Sequence, residues 1–149
     1  VGSNLYAFFI TLAIVIALTP LLGVGLGLHL LILIPATLLL ITFTTVLCLT
    51  LSALHVYFRD VRYVVTAALL VWLYVTPIIY PPSAVPHLLR ALLAINPMTG
   101  IVGLFHAATV GASGPLLLPV IIALAWTVGL LITGTLLQAR WDRVFADLL

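Results

Sequence analysis

Three aspartates, four histidines and a single cysteine are the side chains here best suited to acid–base work, metal binding or thiol chemistry. Their spacing argues against all three. Asp142 and Asp147 stand five residues apart near the C-terminus and Asp60 lies far upstream, so no carboxylate pair is set to flank a reacting bond. His29, His55, His87 and His106 never fall four residues apart, and no metal or haem site is expected. Cys48 sits in an apolar run and reads as a small buried hydrophobe; with one cysteine no intrachain disulfide can form. There is no lysine, hence no glycine-rich loop ending in Lys-Ser/Thr, and the chain is not expected to hydrolyse ATP by that route. The one dense group of charges in the first 139 residues is Arg59, Asp60 and Arg62.

The elements that carry these residues follow from the distribution of charge. Of 149 residues, 65% are hydrophobic and 5% charged, where a soluble domain has roughly a quarter charged. Residues 1–58, 63–89 and 91–139 contain no Asp, Glu, Lys or Arg. A crossing helix needs about 20 apolar residues. The sequence therefore predicts an all-α polytopic membrane protein, residues 1–149 forming one transmembrane domain. A nucleic-acid binder using a basic patch is excluded. A secretory signal is not expected at residues 1–25, which lack a basic leading segment.

Four spans are predicted, at about Leu5–Leu22, Leu28–Leu54, Tyr63–Tyr80 and Leu116–Leu137, with Gly23, Gly25 and Gly27 in the first reversal. Each contains a proline expected to kink it: Pro20, Pro35, Pro77 and Pro119. Threonine hydroxyls, such as Thr37, Thr42, Thr44, Thr45 and Thr50, are expected to bond to carbonyls of their own helix. Between the last two spans the sequence stays apolar but is broken. Pro81-Pro82-Ser83 ends the third helix, Pro86 opens a short helical pattern to Ile95, Asn96-Pro97 stops it, and a second short helix runs from Thr99 to Val110. Each piece is about 15 Å long, half a bilayer. This pattern predicts a re-entrant hairpin bent at Asn96 and Pro97, or else an amphipathic pair lying flat on the surface. Broken helices at membrane depth are tolerated when buried in protein or lining a path.

Orientation follows from arginine. Arg59, Arg62, Arg140 and Arg143 fall on one side of a four-span topology, which the positive-inside rule makes cytoplasmic, with both termini there. Asp60 is expected to cap the third helix, where the helix dipole favours an acid; a gating or motor-facing ion-pair network is the other reading of Arg59, Asp60 and Arg62. Mid-span Trp72 and Tyr74, with Pro77, Tyr80 and Phe105, are candidates for the wall of a translocation path. Tyr57, Tyr63 and Tyr80 also suit an interfacial belt. Arg90 reads as a solvated arginine or a contact to phosphate or an anionic glycan. Gly100 and Gly103 are consistent with close helix approach, or more simply with flexible backbone.

Three stretches resemble the permease subunit of type-2 ABC exporters, in its polysaccharide-export branch. They are Leu51-Ser52-Ala53-Leu54-His55-Val56-Tyr57-Phe58-Arg59-Asp60-Val61-Arg62, Thr76-Pro77-Ile78-Ile79-Tyr80-Pro81 and Leu93-Ala94-Ile95-Asn96-Pro97-Met98-Thr99. The ending Phe145-Ala146-Asp147 is also similar. The chain departs from the pattern at His106, where arginine is frequent, and at Asp142, where glutamate is frequent.

The resemblance implies a C-terminal fragment of a six-span permease, in keeping with a sequence that begins at Val1 and has Met98 as its one methionine. It implies a homodimer in the bacterial cytoplasmic membrane, moving O-antigen, capsular polysaccharide or teichoic acid precursors. It also implies a separate ATP-binding subunit that holds ATP and Mg, with no cofactor on this chain and no chemistry on the substrate. An ABC permease for drugs or lipids, and a non-transporting membrane anchor subunit, are the alternatives.

Overall fold

An apolar run away from water satisfies its backbone most simply as a helix. The computed structural model of the chain is helical along these runs. It describes residues 2–22, 27–57, 60–78, 85–111 and 114–146. The helices are α1 (Gly2–Leu18), α2 (Leu33–Tyr57), α3 (Val61–Val75), α4 (His87–Ile95), α5 (Pro97–Val110) and α6 (Leu117–Ala146). Short 3-10 turns cover Thr19–Leu22 and Leu28–Ile32. No strand occurs among the described residues.

Three stretches are long and apolar enough to cross a bilayer: Asn4–Leu21, Leu28–His55 and Leu117–Gln138. The third expected span is shorter than the sequence implied. It was predicted to reach Tyr80 but ends at Val75, and its 15 residues rise only about 22 Å. The cause is local: Thr76 precedes Pro77 and is extended (φ −86°, ψ 128°), because the proline ring disfavours helix in the residue before it.

The prolines correct a second expectation in part, for Pro20, Pro77 and Pro119 do not lie within a helix interior. Pro119 is the third residue of α6, where a missing N–H leaves no helical bond unmade, whereas Pro35, third in α2, follows the 3-10 turn Leu28–Ile32 that runs straight into that helix. Pro77 lies beyond α3. Pro20 lies in the 3-10 turn after α1, and Thr19 Oγ1 donates to the Ile16 carbonyl that Pro20 cannot serve (2.9 Å). The threonines otherwise behave as expected: Thr42 donates to Leu38 O, Thr44 to Leu40 O and Thr50 to Val46 O. Thr37 departs from this, its buried hydroxyl having no partner. Cys48 also differs. It is exposed, facing the cleft between α1 and α2, because α2 turns Ala36, Leu39, Phe43 and Val46 inward instead.

The core is built by α2, α5 and α6 around Leu39, Phe43, Ile101 and Ala123. Small residues let these helices approach closely. A side chain at Gly100 would collide with the Pro119 carbonyl of α6. A Cβ at Gly134 would come within 2.8 Å of Thr50 Oγ1, the hydroxyl that also reaches across to Leu130 O (3.2 Å). Gly100 thus serves close packing within a helix, the first of the two readings its spacing allowed. Between membrane helices, such packing and hydrogen bonds replace the hydrophobic effect as the adhesive term.

These contacts also set direction. Leu39 and Phe43 of α2 pack with Ala123 of α6, and Thr50 with Leu130 and Gly134, so the two helices run parallel. Their C-terminal ends, and the start of α3, lie at one end of the bundle. The outward faces are apolar: Leu38, Leu49, Leu70, Val71, Leu124 and Leu131 are all exposed, as a lipid-facing surface requires.

Candidate functional site

The polar interior of the chain gathers where α4 turns into α5. Ile95 ends α4 and Pro97 begins α5, two residues earlier than the sequence suggested, because proline is well suited to the first position of a helix. Between them Asn96 is extended (φ −71°, ψ 118°) and caps α5 by accepting from Met98 N (2.9 Å).

Three further elements converge on this bend. Trp72 Nε1 of α3 donates to Asn96 Oδ1 (2.8 Å), and Asn96 Nδ2 donates to Thr76 Oγ1 (3.1 Å). The Thr76 hydroxyl in turn donates to Trp72 O (2.8 Å), which closes a ring of hydrogen bonds around the end of α3. From α6, Trp126 Nε1 donates to Ile95 O (3.0 Å). Thr99 Oγ1 donates to Leu93 O (2.8 Å), so the last carbonyls of α4 also find donors. Phe43 of α2 meets the Trp72 ring edge-on, with centroids 6.4 Å apart. One bend therefore ties α3, α4, α5 and α6 together, with α2 behind them.

Replacing Trp126 with Phe is expected to lower stability by about 0.5 to 1.5 kcal/mol, since it keeps the ring and removes the hydrogen bond to the Ile95 carbonyl at an exposed position. Thermal unfolding of the purified protein checks this.

The predicted site residues divide into groups. Trp72, Asn96 and Pro97 come together at the bend. Pro77 is buried and lines a cavity of about 450 Å³ between α4, α5 and α6, which Arg90 and His106 share. Phe105 faces the other way, edge-on to Phe8 of α1 (6.2 Å). Tyr74 is exposed on α3. Arg59 and Tyr80 lie outside the described residues. Asp60 occupies the position before α3, but its side chain makes no capping bond. Its backbone is helical (φ −79°, ψ −9°) rather than extended, and its carbonyl, not its carboxylate, meets the helix by accepting from Tyr63 N and Val64 N. Arg62 is exposed one residue into the same helix.

Sequence reasoning missed Thr76 and Trp126 as partners of the bend. One signal was available: an asparagine in an apolar segment must find partners for its amide when buried. Among the described residues no group of three or more His, Cys or acidic side chains could hold a metal ion.

Residues 1–110 match the family described as ABC-2 type transporter. The chain belongs to this family. Its long apolar helices and the family together make it a multi-pass membrane protein. It is also similar to the O-antigen export system permease protein RfbA of Myxococcus xanthus, at 32% identity over 109 residues. That alignment covers 72% of this chain and 42% of the relative, so the chain spans less than half the length of the curated protein it matches. No solved structure gives a significant match.

Within the ABC-2 type transporter match lie Arg59, Asp60 and Arg62, the whole of α3, and the Asn96 bend. Of the longest apolar helices, α6 alone falls beyond it.

Proposed function

We propose that the chain is part of the permease subunit of an ATP-driven exporter that carries polysaccharide or lipid-linked glycan across the bacterial cytoplasmic membrane. The observation that carries this reading is the 32% identity to an O-antigen export permease, within a chain of the ABC-2 type transporter family. In this reading a separate ATP-binding subunit supplies ATP and Mg, and two copies of the permease form the path.

Four arginines, at 59, 62, 140 and 143, make the end where α2 and α6 finish the cytoplasmic one, the C-terminus with it. The parallel course of those two helices supports that assignment. The pair α4–α5 is then a hairpin entering from the opposite face. Trp126, the tenth residue of α6, meets the bend roughly 14 Å along its helix, which supports a re-entrant tip over a pair lying flat. In this reading α3 belongs to the remaining crossing. Tyr74, Tyr80 and the ring face of Trp72 offer stacking surfaces for sugars, and Pro77 and Phe105 border the cavities beside the hairpin.

Purification of the full-length protein from its own membranes tests the assignment. A co-purifying ATP-binding protein is expected, and its absence overturns the exporter reading. Neighbouring genes separate substrates: glycosyltransferases point to glycan, a resistance cluster to drugs. Asp60, exposed at the cytoplasmic junction, gives a finer test. Asp60→Ala is expected to reduce export more than it reduces the amount of protein in the membrane, measured side by side; equal losses would leave it only a structural role.

A further inference from the structure

The hydrogen bonds at the bend are of two kinds. Two stay within one element: Thr76 Oγ1 donates to Trp72 O at the end of α3, and Asn96 Oδ1 accepts from Met98 N at the start of α5. Two cross between elements: Trp72 Nε1 donates to Asn96 Oδ1, and Asn96 Nδ2 donates to Thr76 Oγ1. When α3 moves off the bend, the crossing pair breaks together. The threonine hydroxyl then keeps its acceptor and the asparagine keeps its cap, so of these groups the indole N–H and the Asn96 amino group lose a partner. Packing around the crossing pair is sparse. No residue of α3 is buried, whereas α5 buries Pro97, Gly100, Ile101, Ala107 and Ala108. Beside the pair runs an open apolar seam of about 480 Å³, with Ala68, Val71 and Val75 of α3 on one wall and Leu92, Ile95 and Pro97 on the other. Protein interiors are normally close-packed, and atoms that face a gap forfeit their dispersion contacts. Along this seam α3 meets the bend through directional polar bonds, where α5 and α6 meet through a backbone contact at Gly100 and Pro119.

We propose that the two bonds crossing at Asn96 form a reversible latch, from which α3 detaches as an intact helix while α4, α5 and α6 stay together. Elements with few buried apolar contacts sit at the low end of local stability. The intrahelical bonds of α3 do not depend on the latch, and Thr76 holds its last turn shut in either state. The bend stays on α6 through the bond from Trp126 Nε1 to Ile95 O. Release also withdraws the indole from its edge-on contact with Phe43, so the latch closes α3 onto α2 and the bend at once. The inference rests on the bonds and the seam beside them, and it holds whatever the chain carries.

Fluorine NMR of the full-length protein in detergent, labelled with fluorotryptophan, reads the latch itself. Trp72→Phe and Trp126→Phe assign the two resonances by their disappearance. Trp72 is expected to show two environments, the minor one at roughly 1–10%, a usual weight for a second conformer. Exchange between them is expected on the microsecond-to-millisecond scale of helix motions. Trp126 is expected to show one environment. Thr76→Val removes the acceptor of Asn96 Nδ2 while keeping a branched side chain, which suits the extended backbone there. The Trp72 carbonyl still receives the backbone N–H of residue 76. This variant should raise the minor fraction about three- to tenfold, the weight of one hydrogen bond. A single environment for Trp72 in both the wild type and Thr76→Val overturns the proposal, as does a minor fraction that Thr76→Val leaves unchanged. Splitting of Trp126 in step with Trp72 also overturns it, since the whole bundle would then be loosening and the bonds would serve the general fold.

Discussion

Replacing Asn96 with leucine is expected to destabilise the protein by about 2 to 6 kcal/mol, enough to remove most of it from the membrane. The side chain is buried and its amide meets three partners on two elements. Leucine would leave the Trp72 indole N–H and the Met98 amide without an acceptor, in surroundings where water does not replace it. Each orphaned donor costs roughly 1–3 kcal/mol. Thr76 would lose less, since its hydroxyl still donates to Trp72 O. Serine at position 96 keeps the cap on Met98 but is too short to hold Trp72, so Asn96→Ser should fall between leucine and wild type. A double-mutant cycle with Trp72→Phe isolates the long-range bond: if the indole and amide act as a pair, the two changes together cost clearly less than their sum. Melting temperature and membrane level of the four proteins give the result. Strict additivity would show that Asn96 matters only as a helix cap.

The second large effect is expected at Gly100. Its missing side chain is what allows α5 to rest against the Pro119 carbonyl of α6. Valine there forces the helices apart at the edge of the core formed by Leu39, Phe43, Ile101 and Ala123. Overpacking of this kind costs about 1–3 kcal/mol and sometimes more. Here the colliding atoms are backbone, which cannot rotate away, so Gly100→Val is expected at or above the top of that range. Gly129 of α6 is the control. Nothing lies within 4 Å of a Cβ built there, so Gly129→Ala should be neutral or slightly stabilising through its better helix propensity. Thermal unfolding of both variants in detergent reads the difference. Loss of stability at Gly129 equal to that at Gly100 would mean that glycine content, rather than the α5–α6 contact, is being measured.

Much of the architecture could be read from local pattern. The two long crossing helices α2 and α6 were visible as uncharged apolar runs, because hydropathy summed over about 20 residues settles membrane residence with little help from neighbours. The break at Asn96-Pro97 was visible too, since proline interrupts a helix whatever surrounds it. The end of α3 was read five residues late, although its cause, Pro77 acting on Thr76, is equally local. There, hydrophobicity outweighed a backbone signal in the reading. Pro119 falls in the first turn of α6, and Pro35 just after the 3-10 turn that runs into α2. Whether proline disrupts a helix depends on where the helix starts, and the apolar runs gave no sharp start.

The candidate site was legible only in part. Trp72, Asn96 and Pro97 were each singled out, but for separate roles: the tryptophan as a wall for sugars, the asparagine and proline as a bend. That they are one assembly is a property of the tertiary structure. A bond between residues 72 and 96 depends on how α3 is rotated about its axis and how far α4 slides along it. Both are fixed by packing against Phe43 and Trp126. The same holds for Arg90 and His106, on different helices and sixteen residues apart, which line a common cavity. By itself the sequence determined that this is a helical membrane protein, where its charges gather, and where α4 gives way to α5. These are sums over neighbouring residues. Which polar groups meet in the interior is a relation between distant ones, and only the packing of the helices decided it.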